Sequence, residues 1–278
     1  AALTALEKLD LGWNKIAALP DAIGDLTELT VLNVGSNLLT ALPGTLGTLT
    51  GLTHLFAHNN KLTTLPESIA ALSQMKTLLL MGNKFTAFPK TIVKLASLTE
   101  LGISLNQLAT LPDSIAALTA LKTLDLNNNK FATLPKPIVK LTSLTELNLS
   151  FNQLVTLPNS CAALTALETL HLNNNTFTAL PKPIVKLTSL TKLVLHKNQL
   201  VTLPDSIAAL TALEELYFDD NQIVTLPSSI AALTALEFLH LYNNPLAKPQ
   251  FSAVEAWLAA LEAGGCEVKM IEDEDGAW

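Results

Sequence analysis

Apolar and polar residues follow a pattern that repeats every 23 residues along nearly the whole chain. Leucine or a similar apolar residue occupies fixed positions in each repeat, and one asparagine recurs with unchanged spacing. These asparagines are Asn14, Asn37, Asn60, Asn83, Asn106, Asn129, Asn152, Asn175, Asn198, Asn221 and Asn244. A fixed period of this length is typical of a solenoid, in which each repeat forms one coil. The pattern therefore predicts a single domain built from stacked coils.

One repeat, Leu144 to Ala166, fits LxxLxLxxNxLxxLPxxIxxLxx, with Cys161 at the isoleucine position. Its LxL step has a period of two and predicts a short β-strand with both leucines on one face. The asparagine amide can both donate to and accept from backbone groups at the following turn, so we expect a ladder of amides through the stacked coils. The proline fixes φ and excludes a strand, and the IxxL spacing after it predicts a helical turn.

These residues resemble the leucine-rich repeat family over roughly residues 6–249, without an insertion. The LPxxIxxL segment is most similar to the intracellular repeats of Ras-linked scaffolds and of plant intracellular Ras-group-related proteins. The resemblance implies an α/β solenoid of about ten to eleven coils, shaped as a horseshoe with a parallel sheet on its concave side. It also implies that the concave side binds a protein partner.

The pattern changes after Asn244, and we divide the chain into a solenoid, 1–249, and a C-terminal cap with an acidic tail, 250–278. Ser252 and Glu255 have the spacing of a capping box at a helix start, and Gly264 with Gly265 would end that helix. The predicted apolar stripe of the helix is Val254, Trp257, Leu258 and Leu261, and the alternating residues of a final strand are Cys266, Val268 and Met270. We expect the helix and strand to cover the end of the solenoid, and residues Glu272 to Asp275 to form a disordered tail.

Composition narrows the classes of partner. All 17 basic residues are lysine, so the chain has no arginine guanidinium group, the group that reads guanine edges and binds phosphates in two-point fashion. The formal net charge of −7 also disfavours binding to a polyanion. We therefore expect no nucleic-acid partner, and no apolar run is long enough to cross a bilayer. Cys161 and Cys266 are more than four coils apart, which is too far for a disulfide, so we expect both thiols to be free. Free thiols favour a cytoplasmic location, although secretion is left open.

Residues that flank the strand leucines should point to the concave surface, and aromatic residues gather there near both ends of the repeat array. Aromatic side chains at such positions are typical of interface hot spots. The cluster near the C-terminal end comprises Glu215, Tyr217, Asp219, Asp220, Phe238, His240 and Tyr242, and the one near the N-terminal end comprises His54, Phe56, His58, Leu79 and Met81. We predict that a protein partner with a basic patch binds here and that the protein is a monomer. Apolar substitution tolerated in the end coils is the alternative.

Other functions have weaker support in the sequence. The five histidines all map to the predicted concave surface, but none of their spacings supplies a convincing third ligand, so no metal site is predicted. Motifs for hydrolysis, zinc proteolysis or phosphate binding are missing, and we expect neither a cofactor nor enzymatic activity. The alternatives left open are a purely structural or scaffolding protein, metal binding, and ice binding by a regular row of threonines such as Thr188, Thr211 and Thr234.

Overall fold

The computed structural model describes residues 4–246 and 252–269. The chain divides into two compact units: unit 1 consists of Ala1–Phe131 and Pro135–Leu144, and unit 2 of Ala132–Leu134 and Thr145–Trp278. Both units are built from the same 23-residue coil. The predicted boundary between solenoid and cap, at residues 249 and 250, lies outside the described residues.

Each strand has three residues, and the central one is a buried leucine, as the LxL spacing predicts, in all but the first and the last, where Leu9 and Val268 are half-buried. In unit 1 the strands are β1 Lys8–Asp10, β2 Val31–Asn33, β3 His54–Phe56, β4 Thr77–Leu79, β5 Glu100–Gly102 and β6 Thr123–Asp125. In unit 2 they are β7 Glu146–Asn148, β8 Thr169–His171, β9 Lys192–Val194, β10 Glu215–Tyr217, β11 Phe238–His240 and β12 Glu267–Lys269. Within each unit, successive strands pair in parallel and place equivalent residues side by side, as Leu55 beside Leu78 and Leu193 beside Leu216.

The predicted helical turn after each proline is a short 3₁₀ helix. In unit 1 these helices are Asp21–Asp25, Gly44–Thr48, Glu67–Ala71, Lys90–Lys94, Asp113–Ala117 and Lys136–Lys140. In unit 2 they are Asn159–Ala163, Ile184–Lys186, Asp205–Ala209 and Ser228–Ala232. The proline carbonyl accepts the first hydrogen bond of the turn, as in Ile69 N–H to Pro66 O at 3.1 Å. The proline thus begins the turn, and the isoleucine that follows it is directed into the core.

The predicted asparagine ladder is present, and it joins neighbouring coils. The Nδ2 group of Asn129 donates to Leu126 O and Asn127 O in its own coil, and also to Ile103 O in the preceding coil at 3.1 Å. Its Oδ1 accepts from Leu108 N–H, again in the preceding coil, at 2.9 Å. The same pattern recurs in unit 2, where Asn198 Oδ1 accepts from Phe177 N–H. One asparagine side chain therefore stabilises the turn of its own coil and hydrogen-bonds that turn to the preceding coil.

The residue before each ladder asparagine has a left-handed backbone, with φ between 50° and 56° at the non-glycine positions. Asparagine and aspartate adopt this conformation at lower cost than other non-glycine residues, and bulky apolar residues do so least readily. Trp13, Leu105 and Phe151 occupy the position nevertheless, and their side chains are 84%, 50% and 49% exposed. The sequence pattern gave no sign of this strain, because the position shows no consensus residue type.

The core of each unit is a stack of leucines and isoleucines, and four phenylalanines are among its largest fully buried side chains: Phe85, Phe131, Phe177 and Phe218. Cys161 lies in the core of unit 2, as predicted, and is 3% exposed. Burial raises the pKa of its thiol to about 12. Beside it is a small apolar cavity of about 10 Å³, lined by Cys161 and by leucines that include Leu134, Leu157 and Leu187. Cys161 and Cys266 are both free.

Helix α1, Ser252–Ala263, and strand β12 confirm the predicted cap. Val254, Trp257, Leu258 and Leu261 are all buried, and Trp257 Nε1–H donates to Leu233 O at 3.0 Å. The helix ends before Gly264 and Gly265, and Gly265 has a φ of +91°. The Ser252 side chain of the predicted capping box, Met270 and the acidic tail lie outside the described residues. None of the helices in the described part of the chain is long and apolar enough to span a membrane.

Candidate protein-binding surface

The candidate surface is the strand face, formed in each coil by the residues on either side of the central strand leucine and by the residue two positions further on. In the coil of β10 these residues are Glu215, Tyr217 and Asp219, whereas Leu216 and Phe218 are fully buried in the core. Side chains alternate between the two sides of an extended chain, so the three outward residues share one face. Parallel pairing aligns equivalent residues of adjacent coils into rows.

In unit 2 the strand face carries an aromatic cluster, and the structure brings its members together as the sequence predicts. Tyr217 and His240 are paired residues of β10 and β11, and their rings meet edge to face with centroids 4.8 Å apart. His240 is also 6.1 Å from the ring of Tyr242. Phe238 lies at the start of β11, beside Glu215 on one side and Glu267 on the other. Tyr217, Phe238 and Tyr242 are half-buried and together provide an aromatic surface.

His240 itself is not an exposed contact residue, contrary to the sequence prediction. It is 8% exposed, because the rings of Tyr217 on β10 and of Tyr242 in its own coil lie close to it, and Lys269 is its neighbour on β12. Its Nε2 lies 3.6 Å from Glu267 Oε1, too far for a hydrogen bond. His240 therefore packs against the two tyrosines and offers little surface of its own to a partner.

Glu215 is bound to Tyr217, a predicted member of the cluster, and to Lys192, which was not predicted. Lys192, its neighbour on β9, forms an ion pair with Glu215 Oε2 at 2.5 Å, and Tyr217 O–H donates to the same oxygen at 2.9 Å. Burial raises the pKa of Glu215, but the hydrogen bonds from Lys192 and Tyr217 outweigh that effect, so the pKa is lowered. Burial and the Glu215 carboxylate raise the pKa of Tyr217. The Lys192 ammonium also lies 5.5 Å from the centre of the Tyr217 ring, a cation–π distance.

Glu267 has a partner as well, since Lys269 Nζ lies 3.2 Å from its Oε1. Residues 23 positions apart are neighbours on adjacent strands, so the repeat length alone could have placed Lys192 beside Glu215. Glu267 and Lys269 lie in the cap, where that spacing fails, so no repeat-based signal points to them.

Asp219 is buried, whereas the sequence analysis placed it at the edge of the aromatic cluster as a surface charge. It is 4% exposed and lies in a row between His196 and Tyr242, both of which have larger side chains. Burial raises its pKa, although the nearby His196 and a hydrogen bond with Tyr242 act in the opposite direction. Burial likewise lowers the pKa of His196, against the attraction of Asp219. Asp220, the next residue, accepts a hydrogen bond from Asn243 Nδ2 at 2.9 Å.

The second predicted cluster lies on the strand face of unit 1. His54 and Phe56 have ring centroids 6.2 Å apart, and Thr53 Oγ1 is 2.8 Å from His54 Nδ1. The His58 ring lies against Gly35, where an added Cβ would collide with the imidazole. Leu79 and Met81 converge over Gly102, whose missing side chain leaves room for them. All five predicted residues are half-buried.

Neither cluster has the geometry of a metal centre. Among the described residues, no three histidine, cysteine, aspartate or glutamate side chains approach one another as metal ligands would.

Comparison with known proteins identifies the family. Models of leucine-rich repeats match residues 27–85 and 73–131, a two-copy model matches 119–161 and 142–182, and a leucine-rich repeat region matches 169–262. A leucine-rich repeat protein of Leptospira interrogans is 33% identical, with a TM-score of 0.85 over 96% of this chain and 73% of the other. The chain therefore belongs to the leucine-rich repeat family.

Two further structures extend the comparison. An internalin of Listeria monocytogenes is 26% identical, with a TM-score of 0.77 over 98% of this chain and 84% of the other. The plant peptide hormone receptor RGFR1, solved in complex with RGF2, is 26% identical with a TM-score of 0.74, and the match covers 97% of this chain but 48% of the receptor. No functionally curated protein matches the chain.

Proposed function

We propose that this protein is a non-catalytic binding module that recognises a protein partner through the strand face of unit 2, the side that the family resemblance predicts to be concave. The observation that carries the proposal is the aromatic cluster of Tyr217, Phe238 and Tyr242, which remains half-exposed outside the core. Large, rigid aromatic side chains contribute contact area at a small cost in conformational entropy. The repeat receptor bound to RGF2 supports a binding role for a coil array of this kind.

The partner should present an apolar anchor with basic residues around it. Glu215 and Asp220 give the edge of the cluster negative charge, which attracts a basic partner and accelerates the encounter. Lys192 neutralises part of the charge of Glu215. We therefore expect aromatic burial to contribute more affinity than charge.

The strand face around β7 and β8 offers a control surface within the same unit. Asn148 and Thr169 occupy the same kinds of position as Tyr217 and Phe238 but are small and polar. Alanine substitutions at these two positions show how far truncating any strand-face side chains changes binding, and thereby isolate the effect of removing the aromatic cluster.

The test compares two double variants. The partner is first captured from native lysate with the wild-type protein and identified, and its association and dissociation rates are then measured for each variant. Tyr217→Ala/Phe238→Ala should weaken binding by at least about 1 kcal/mol, mainly through faster dissociation. Asn148→Ala/Thr169→Ala should change affinity little. Equal effects of the two pairs, with both proteins folded by circular dichroism, would place the binding surface elsewhere.

The cluster of His54, Phe56, His58, Leu79 and Met81 in unit 1 is a second candidate surface for the same type of partner. It has apolar area and histidines, but its five members provide no carboxylate. Phe56→Ala with Met81→Ala, measured against the same partner, tests its contribution.

A further inference from the structure

Asp219 differs from the other carboxylates of the unit 2 surface because it is buried and, within the described part of the chain, one of its oxygens has neither a cation nor a hydrogen-bond donor beside it. Glu215 is paired with Lys192, and Glu267 with Lys269. Among the described residues Asp219 forms no salt bridge, and its Oδ1 has no hydrogen-bond partner although the residue is only 4% exposed. A buried carboxylate oxygen without a partner costs free energy in the isolated protein. Because most buried polar atoms in native proteins are hydrogen-bonded, such an exception calls for an explanation, and a ligand that supplies the missing partner is one.

Asp219 is distinguished from its row by its acidic side chain. His58 Nδ1 and Asn127 Oδ1 in the same row are also buried without a hydrogen-bond partner among the described residues, but neither residue is a carboxylate. The equivalent residues in the other coils are Gly12, Gly35, His58, Met81, Ser104, Asn127, Ser150, Asn173, His196 and Tyr242, and none of them is acidic. Ser150 and Asn173 satisfy each other, with a hydrogen bond from Ser150 Oγ to Asn173 Oδ1 at 2.5 Å. The strand face thus tolerates small polar residues in this row, and an unpaired carboxylate is not required for the fold.

The surroundings of Asp219 are suited to a cationic side chain. Tyr217 precedes it by two residues on the same outward side, and Tyr242 lies in the next coil and hydrogen-bonds the carboxylate. Aromatic rings accommodate the aliphatic part of a lysine or arginine side chain and attract its charge. His196 flanks Asp219 on the other side, and burial keeps the pKa of His196 low, so this histidine does not supply the missing cation at neutral pH.

We infer that Asp219, with Tyr217 and Tyr242 beside it, forms a pocket that receives one lysine or arginine side chain of the protein partner. This inference rests on the proposed function, because it assigns to the same surface the chemical group that the partner inserts. Because Asp219 Oδ1 is enclosed in the isolated protein, the side chains around it would move aside to admit the cation, which would then pair with Oδ1 while its aliphatic part contacts the tyrosine rings. The pocket would then select partners by one basic residue at a fixed distance from their apolar anchor.

The inference can be tested without the natural partner. The probes are three tripeptides with blocked ends, in which leucines flank a central lysine, arginine or norleucine, the last being a neutral analogue of lysine. Binding is followed by the NMR signal of the carboxyl carbon of Asp219 in isotope-labelled protein. The lysine and arginine peptides should shift this signal saturably, and the norleucine peptide should bind at least about tenfold more weakly, because a charge-assisted contact is lost.

Two variants complete the test. Asp219→Asn, followed by backbone amide signals, should bind the lysine peptide no better than the norleucine peptide, yet should melt at the same or a higher temperature, because an unpaired buried charge is removed. Asp205→Asn is the matched control: it removes the same charge from a 3₁₀ helix of the same unit, away from the strand face, where Ser229 Oγ donates a bond, and should leave peptide binding unchanged.

Equal binding of the lysine and norleucine peptides to the wild-type protein would overturn the inference, whatever the variants do. A lower melting temperature of Asp219→Asn would also overturn it, since Asp219 would then serve the fold. Neither result bears on the aromatic cluster, which is tested separately by Tyr217→Ala/Phe238→Ala with the captured partner.

Discussion

Replacing Asn129 with alanine removes one rung of the asparagine ladder, and the structure indicates which backbone groups lose a partner. Asn127 O also accepts from Leu105 N–H, and Ile103 O also accepts from Asn106 Nδ2, so these two carbonyls remain bonded. The Leu108 N–H has no acceptor other than Asn129 Oδ1 among the described residues. The main cost is therefore one buried N–H without a partner.

A buried donor left unsatisfied costs about 1–3 kcal/mol, and the weakened carbonyl bonds add to this cost, so we expect a loss of about 2–3 kcal/mol of unfolding free energy. The measurement is urea denaturation followed by circular dichroism. It is combined with hydrogen exchange, in which the Leu108 amide should exchange faster although it is 21 residues from the substitution. Two independent observables then report on the same bond.

Asn14 provides the matched control because it belongs to the first coil. Its Nδ2 donates to Leu11 O and Gly12 O at 3.0 and 2.9 Å, and the residue is exposed. Asn14→Ala should cost less than about 0.5 kcal/mol, since water replaces exposed hydrogen bonds. Asn127→Ala, in the same coil as Asn129, should also cost far less than Asn129→Ala. If the three variants lose equal stability, or if Leu108 exchange is unchanged, the bond between coils does not stabilise the fold as expected.

Three further predictions concern other sites. Cys161 should react with a thiol reagent only after unfolding, because it is buried and its pKa of about 12 leaves almost no thiolate at neutral pH. Rapid labelling of the native protein would contradict its core position. Phe151→Asn should raise the unfolding free energy by up to about 1 kcal/mol, because asparagine accepts the left-handed backbone at this exposed position; Asn128→Phe, the reverse change, should lower it. Asp219→Asn should raise the melting temperature at pH 7, and the gain should shrink towards about pH 4. The reason is that a carboxyl group whose pKa is raised above its ordinary 3.8 destabilises the fold only when ionised; a gain that is independent of pH would exclude this cause.

The sequence predicted the backbone of this protein well, because the elements are determined by residues within one coil. The LxL step indicated strands such as β7, and the apolar stripe of Val254 and Trp257 indicated the cap helix. The asparagine could be assigned to backbone bonding from its amide chemistry alone. The bonds from Asn129 to Ile103 and Leu108 depend in addition on how the coils stack.

The side chains of the candidate surface were harder to predict, because their depth depends on neighbours 23 residues away. Asp219 has the spacing of a surface charge when β10 is taken by itself, but His196 and Tyr242 in the adjacent coils bury it. His240 is likewise covered by Tyr217 in the adjacent coil and by Tyr242 in its own coil. Periodicity determines which way a side chain points, whereas burial depends on the size of residues in the neighbouring coils.

The direction of the asparagine bonds has a consequence for synthesis on the ribosome. Within each unit, the amide group of one coil is satisfied by an asparagine 21 residues later in the chain, as Leu62 N–H is by Asn83 and Leu200 N–H by Asn221. A coil that has just left the ribosome therefore still has an open backbone donor until the next coil emerges. Folding during translation must lag behind chain growth by about one coil, so the growing end of the nascent protein always carries an unfinished turn.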